Sequence, residues 1–318
     1  MQDVRAKFLH AHRADAVFVG TTRFFAVLVV TSLAAILVAL LVGALPALRR
    51  FGAEFLWTTH WDPVQDQYGA AGAIFGTLVT SAIAMLIGVP VSFGIAVFVT
   101  ELAPSWLKRP VGTAIELLAA IPSIIYGMWG LFVFAPVFAA RVQPWMSEHI
   151  GRLPLVGPLF VGPPVGVGVF TAGIILAIMV IPFISSVTRD VFDTVPDELK
   201  ESAHALGATT WEVVTRVVLP YTKAGVIGGT MLGLGRALGE TMAVTFVIGN
   251  AHDINASLFM PGSTISSTLA NEFTEAVGGL YTSSLIALGL ILFCISVTVL
   301  ALARLLLLRL KMREGKHT

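Results

Sequence analysis

Charge is scarce in this chain of 318 residues, with Asp, Glu, Lys and Arg making up only 12%. A soluble domain carries roughly 25%, so most side chains here never meet water. Cysteine is nearly absent. Cys294 stands alone in an apolar run, which excludes an intramolecular disulfide and a multi-cysteine metal centre. The seven histidines are scattered, and the nearest two, His10 and His12, fall in a polar tail without ligand spacing on a helix. No metal site is expected. No basic stripe with interleaved aromatics occurs and the formal net charge is +1, which argues against a nucleic-acid partner. The phosphate-cradling pattern G-x-x-x-x-G-K-[ST] is missing, and Gly315-Lys316 is an isolated Gly-Lys pair, so ATP hydrolysis by that route is excluded. G-x-S-x-G and H-E-x-x-H are missing too. The chain is not read as an enzyme by itself.

What fills the sequence instead is apolar: 56% of residues are hydrophobic and the mean hydropathy is +0.86. A helix needs about 20 apolar residues to cross the hydrocarbon core. Six segments qualify: Phe24–Leu45, Ala73–Val99, Val111–Phe138, Val167–Val187, Ala224–Asn250 and Ala276–Ala303. The fold class is therefore an all-α membrane protein with about six transmembrane helices. The Gly- and Pro-rich stretch 153–168 reads as a loop packed at the outer surface. The first span exceeds the apolar core of a cleavable signal peptide and follows a polar basic tail, so it reads as an anchor.

Fifteen of the 20 Lys and Arg residues fall in segments on one side, including the tail 1–23, the loop 188–221 and the tail 309–318. Four fall on the other side, in the loop 46–72 and near Arg141 and Arg152, and Arg236 lies within a span. The positive-inside rule then makes both termini cytoplasmic and the loop 46–72 external, flanking a core over 73–308.

The loop 188–221 is patterned. Thr194-Val-Pro-Asp197 reads as a helix N-cap with an acidic residue at its third position. Leu199, Ala203 and Leu206 share a face, and Gly207 is placed to end the helix. Thr209-Thr-Trp-Glu212 reads as a second capping box, with Trp211, Val214 and Val218 as an apolar stripe and Pro220 as the stop. Two short amphipathic helices meeting at a glycine corner are expected. A surface pair lying on lipid is the plain reading. Lipid-surface helices favour Lys and Arg, whereas this loop sets Asp190, Asp193, Asp197, Glu198, Glu201 and Glu212 against four basic residues. That balance favours docking to a cytoplasmic protein.

In the fifth span, Gly225, Gly229 and Gly233 recur every four residues, a spacing that admits a neighbouring helix. Arg236 and Glu240 stand at i and i+4, and a charge at such depth costs at least ~2.5–3.5 kcal/mol. They read either as a structural ion pair or as an anion path, with Arg236 donating and Glu240 orienting or neutralising it. Arg suits oxyanions because its planar fork donates two bonds at once. Glu116 and Ser123, the latter beside the kink-forming Pro122, are possible further path residues.

Glu201-Ser202-Ala203, then Gly207 and the close on Leu219-Pro220, resemble the EAA loop of ABC importer permeases. Ala119-Ala-Ile-Pro-Ser123, Ile181-Pro182-Phe183 and Arg236-Ala-Leu-Gly-Glu-Thr241 are similar to the phosphate-importer branch of that family, over roughly residues 50–305. Ser202 departs from the motif's alanine but is equally small. The resemblance implies a type I importer permease fold in the bacterial inner membrane. It implies phosphate carried by alternating access past Arg236 and Glu240, with Glu201, Ser202, Ala203, Gly207, Leu219 and Pro220 at the coupling contact. It further implies a second related permease as heterodimer partner, two cytoplasmic ATPase subunits that hold ATP and Mg²⁺, and a periplasmic phosphate-binding protein, all in contact with membrane lipid. The residues alone leave open another oxyanion such as sulfate or molybdate, an ion-coupled secondary carrier and an intramembrane enzyme.

Overall fold

The computed structural model describes residues 2–314, so the end of the expected C-terminal tail, 315–318 with Gly315-Lys316, lies outside the described residues. Among the described residues there are helices, turns and two isolated bridges, Asp62 with Gln67 and Gly249 with Gly262, but no strand. Six helices among the described residues are long and apolar enough to cross a membrane.

Helix α1 is Gln2–Phe51 and runs through the expected boundary between tail and anchor. Helix α2 is Ala71–Val97, closed by a wide π-turn over Phe98–Leu102. Helix α3, Ser105–Ala119, is amphipathic. Next come α4 (Ser123–His149) and α5 (Val169–Phe192), then α6 (Asp197–Ala205) and α7 (Thr210–Leu238). The short α8 (Met242–Thr245), α9 (Ile265–Glu272) and α10 (Gly279–Glu314) complete the order.

Two expected spans change. The third crossing is not one helix over 111–138: the chain breaks at Ala120–Pro122, because proline disfavours helical backbone in the residue before it. The fifth stops at Leu238, and Asn250 belongs to a loop beyond it. It also begins earlier than expected, at Thr210, because Pro220 does not stop the chain. A π-turn over Val214–Val218 widens the helix just before Pro220, where the missing N–H and the ring would otherwise break it.

The centre of the bundle is α5 against α2. Along α2 the buried residues are small, among them Ala73, Thr77, Thr80, Ala84, Gly88, Ser92 and Ala96. This stripe lets larger side chains of α5 approach: a side chain at Gly88 would meet Val180, and one at Gly173 would meet Ile83. The glycine stripe of α7 works in the same way. A Cβ at Gly225, Gly229 or Gly233 would lie 2.5–2.8 Å from Val191, Val187 and Ile184 respectively. Without a hydrophobic force between helices in lipid, this close packing holds them together.

Helices α1 and α10 pair at the edge. Pro46 interrupts the α1 ladder, and Ser283 enters it: its hydroxyl accepts from the Ala47 N–H at 3.0 Å and donates to the Gly43 carbonyl at 2.8 Å.

Candidate substrate path and docking face

Helix α7 runs antiparallel to α5, since its successive glycines meet Val191, then Val187, then Ile184. Arg236, on its last turn, therefore arrives beside Phe183, and its guanidinium lies 5.8 Å from the centre of that ring. Phe183 is about 4 Å from the midpoint of α5 at 1.5 Å per residue. Arg236 thus sits near mid-depth, and it is exposed on the surface of the single chain.

The expected Arg236–Glu240 pair does not form. The helix ends between them at Gly239, so i and i+4 no longer share a face. Glu240 turns instead to the start of α8, where its Oε1 accepts from the Ala243 N–H at 3.2 Å. Among the described residues Arg236 makes no ion pair and stays available as a donor. Its place on the last turn suits the negative end of the helix dipole.

The second break lies at the same level. Helix α4 is antiparallel to α5, with Gly130 against Ile175 and Phe138 stacked near Phe170. Ser123 lies about 10 Å before Gly130 along the axis, and so near the depth of Phe183. The Tyr126 hydroxyl donates across the break to the Leu118 carbonyl at 2.9 Å, and it lies within electrostatic reach of Arg236. Gly127 packs on Ala243 and Met242, where an added Cβ would meet backbone at 3.0 Å. Ser123, half-buried and without a hydrogen-bond partner among the described residues, is thus brought to the level of Arg236. Glu116 is not. It sits on α3 and takes a 2.7 Å bond from Arg189, which also binds Asp190 at 2.9 Å.

The loop 188–221 forms the expected corner. Gly207 has φ +87°, its N–H bonds to the His204 carbonyl, and the Ala208 N–H bonds to the Ala203 carbonyl, which is the Schellman pattern. The Thr209–Glu212 box is made in both directions. Thr194 is not the N-cap: Pro196 takes that place, and the Thr194 hydroxyl turns back to the Val191 carbonyl. Helix α6 buries none of its residues. Glu201, Ser202 and Gly207 are exposed, and Ala203 is half-buried. Leu219 and Pro220 lie on α7, the first half-buried and the second exposed. Of the expected Trp211 stripe, Val214 and Val218 are buried while Trp211 is 67% exposed, and Leu206 of the other expected face is 91% exposed. Two large apolar side chains thus stand out beside acidic ones on this surface.

The far end carries a cluster that reading the sequence missed. Glu272 of α9 accepts from Trp61 (2.7 Å) and Tyr281 (2.8 Å) and pairs with His252 (3.0 Å). The rings of Trp61 and His252 stack 5.2 Å apart. Burial pushes the Glu272 carboxyl up, but the bonds from His252, Tyr281 and Trp61 hold it below its usual range. Nearby, burial and then Asp66 push the Tyr68 phenol up to about 12. The partners are too far apart in sequence for any local pattern to reveal them.

The six apolar helices put the chain in the class of multi-pass membrane proteins. It belongs to the family described as binding-protein-dependent transport system inner membrane components, whose profile matches residues 88–312. The chain is 59% identical over 308 residues to the phosphate transport system permease protein PstC of Pasteurella multocida, covering 97% of this chain and 96% of that protein. It is 41% identical over 263 residues to the probable phosphate transport system permease protein PstC of Methanocaldococcus jannaschii, covering 81% and 82%. In fold it is similar to a chain of a bacterial alginate ABC transporter solved with a periplasmic protein bound to an alginate pentasaccharide. There the TM-score is 0.55 at 20% identity, over 83% of this chain and 85% of that one. It also resembles a chain of the inward-facing MetNI methionine ABC transporter, with a TM-score of 0.51 at 16% identity, over 75% and 93%.

Proposed function

We propose that this chain is the permease subunit of an ATP-driven phosphate importer. The observation that carries the reading is Arg236: a guanidinium without an ion-pair partner among the described residues, near mid-depth, where two broken helices meet. Leaving such a charge uncompensated costs ~2.5–3.5 kcal/mol or more, a cost that a passing dianion offsets. The relatives named as phosphate permeases point to the same substrate. Family membership displaces the secondary-carrier and intramembrane-enzyme readings.

In this mechanism α6 and the Gly207 corner face the cytoplasm, as do both termini, and the Glu272 cluster faces the periplasm of a bacterial inner membrane. Two ATPase subunits that hold ATP and Mg²⁺ dock on Glu201, Ser202, Ala203 and Gly207. A second related permease covers the exposed face of Arg236, and a periplasmic binding protein delivers phosphate to the far end. Closure of the ATPases draws the docking helices together and opens the path outward. Phosphate then passes Arg236, which donates two parallel bonds to its oxygens. Ser123 and Tyr126 line the same level. Glu240 holds α8, and with it the far edge of the break, in place.

The test is ATP-dependent phosphate uptake by the reconstituted complex, wild type against Arg236→Gln. Uptake lost with assembly intact is expected. Uptake that survives the substitution returns Arg236 to a structural role, and transport of sulfate or molybdate in place of phosphate overturns the substrate.

A further inference from the structure

Helix α6 turns most of its side chains outward, yet Lys200 points the other way. Its Nζ lies 2.7 Å from Glu101 Oε1, and the two side chains are only 14% and 9% exposed. Both are more enclosed than the partners in the Arg189–Glu116 and His252–Glu272 pairs. Around them α6 offers little grip. Ala203 of α6, and Ala208 just past the Gly207 corner, pack on a cluster with Phe93, Ala96 and Val97 at the end of α2, but both are small.

Glu101 belongs to the π-turn Phe98–Leu102, the joint between α2 and α3. Such turns interrupt the regular ladder and recur at functional sites. The same joint is held from its other side, where Lys108 of α3 donates to the Thr100 carbonyl. One lysine thus reaches the joint from the docking helix and another from α3. Helix α3 then runs about 22 Å to the break at Ala120–Pro122, where Tyr126 stands within electrostatic reach of Arg236.

Enclosing two charges this far is a poor way to gain stability, because their desolvation offsets most of their attraction. Fixing one register between two elements is the better-attested use of such a pair.

We propose that the Lys200–Glu101 pair is the tie through which movement of the docking helix reaches the substrate path. Lys200 and Glu101 are positioning residues: they touch neither phosphate nor ATP, and they make the π-turn and α3 follow α6. The inference rests on the reading that α6 is where the ATPases dock.

The experiment uses the full reconstituted transporter and measures phosphate moved per ATP hydrolysed. Glu101→Gln and Lys200→Met each lower that ratio about tenfold, within the range seen for side chains in direct contact, while assembly and ATP hydrolysis persist. The exchange Glu101→Lys with Lys200→Glu restores the ratio to within about twofold. The apolar pair Glu101→Leu with Lys200→Met guards against simple misfolding: it assembles and stays uncoupled. Unchanged ratios in the single variants, an exchange as uncoupled as the singles, or an apolar pair coupled like the wild type each overturn the tie. Wild-type uptake separates the two readings. If the wild type moves phosphate and the variants keep its ratio, the tie alone falls. If the wild type moves none, the importer reading falls and the tie with it.

Discussion

Two arginines on neighbouring helices have opposite surroundings. Arg189, on α5, is 16% exposed at its side chain and is held by Glu116 and Asp190. Arg236, on α7, meets the face of Phe183 and is exposed on the single chain. A guanidinium whose donors are taken pins two helices together. One whose donors are free can exchange partners as a substrate moves. The same residue type serves as a rivet in one place and as a station in the other, and the number of carboxylates within reach decides which.

Substitution tests this contrast. Arg236→Gln is expected to lower phosphate uptake about 100-fold, the scale of lost charge-assisted hydrogen bonds. Arg236→Lys keeps the charge without the fork and should lose about tenfold. Arg189→Gln should leave uptake within about twofold and lower stability by about 1 kcal/mol, because its carboxylate partners are more than half exposed. A thermal unfolding scan beside the uptake assay reads both quantities. If Arg189→Gln abolishes uptake in a stable protein, the contrast is wrong.

A smaller effect is expected at Glu240. Glu240→Ala removes the acceptor for the Ala243 N–H, at a cost of about 1 kcal/mol, and uptake should fall about fivefold as the break loosens. Were Glu240 instead the partner of Arg236, removing it would strand the arginine and cost as much as Arg236→Gln.

The smallest effect is a pH dependence at the far end. The Glu272 carboxyl is depressed in the folded chain. Its contribution is therefore fully present above the ordinary carboxylate pKa and is lost as pH falls through the folded value. The midpoint of thermal unfolding should drop more steeply on acidification below about pH 4.5 in the wild type than in Glu272→Gln. Parallel curves would show that the cluster contributes nothing through its charge.

How far the sequence alone revealed these regions depends on the range of the chemistry. The glycine corner and the Thr209–Glu212 box were legible because each is made within five residues. The spans were legible because lipid imposes length and apolarity. The break at Gly239 was not, since glycine every four residues reads equally as a packing stripe, which it is at Gly229, and as a helix end, which it is at Gly239. Pro220 misled in the reverse direction, because a π-turn ending two residues before it is invisible to a rule about proline. Arg236 was legible as a charge out of place, but its lack of a partner was not. Glu101 and Lys200, 99 residues apart, left no local trace.

The Ser283 hydroxyl that bridges Gly43 and Ala47 carries a consequence for biosynthesis. Helix α1 leaves the ribosome early with a gap in its ladder at Pro46, and the group that closes the gap lies 236 residues further along the chain. Until α10 is made, the Ala47 N–H and the Gly43 carbonyl have only each other, water or the insertion machinery to bond. Among the described helices, the first to be synthesised is thus one of the last to be completed, and a chain truncated before Ser283 leaves it open.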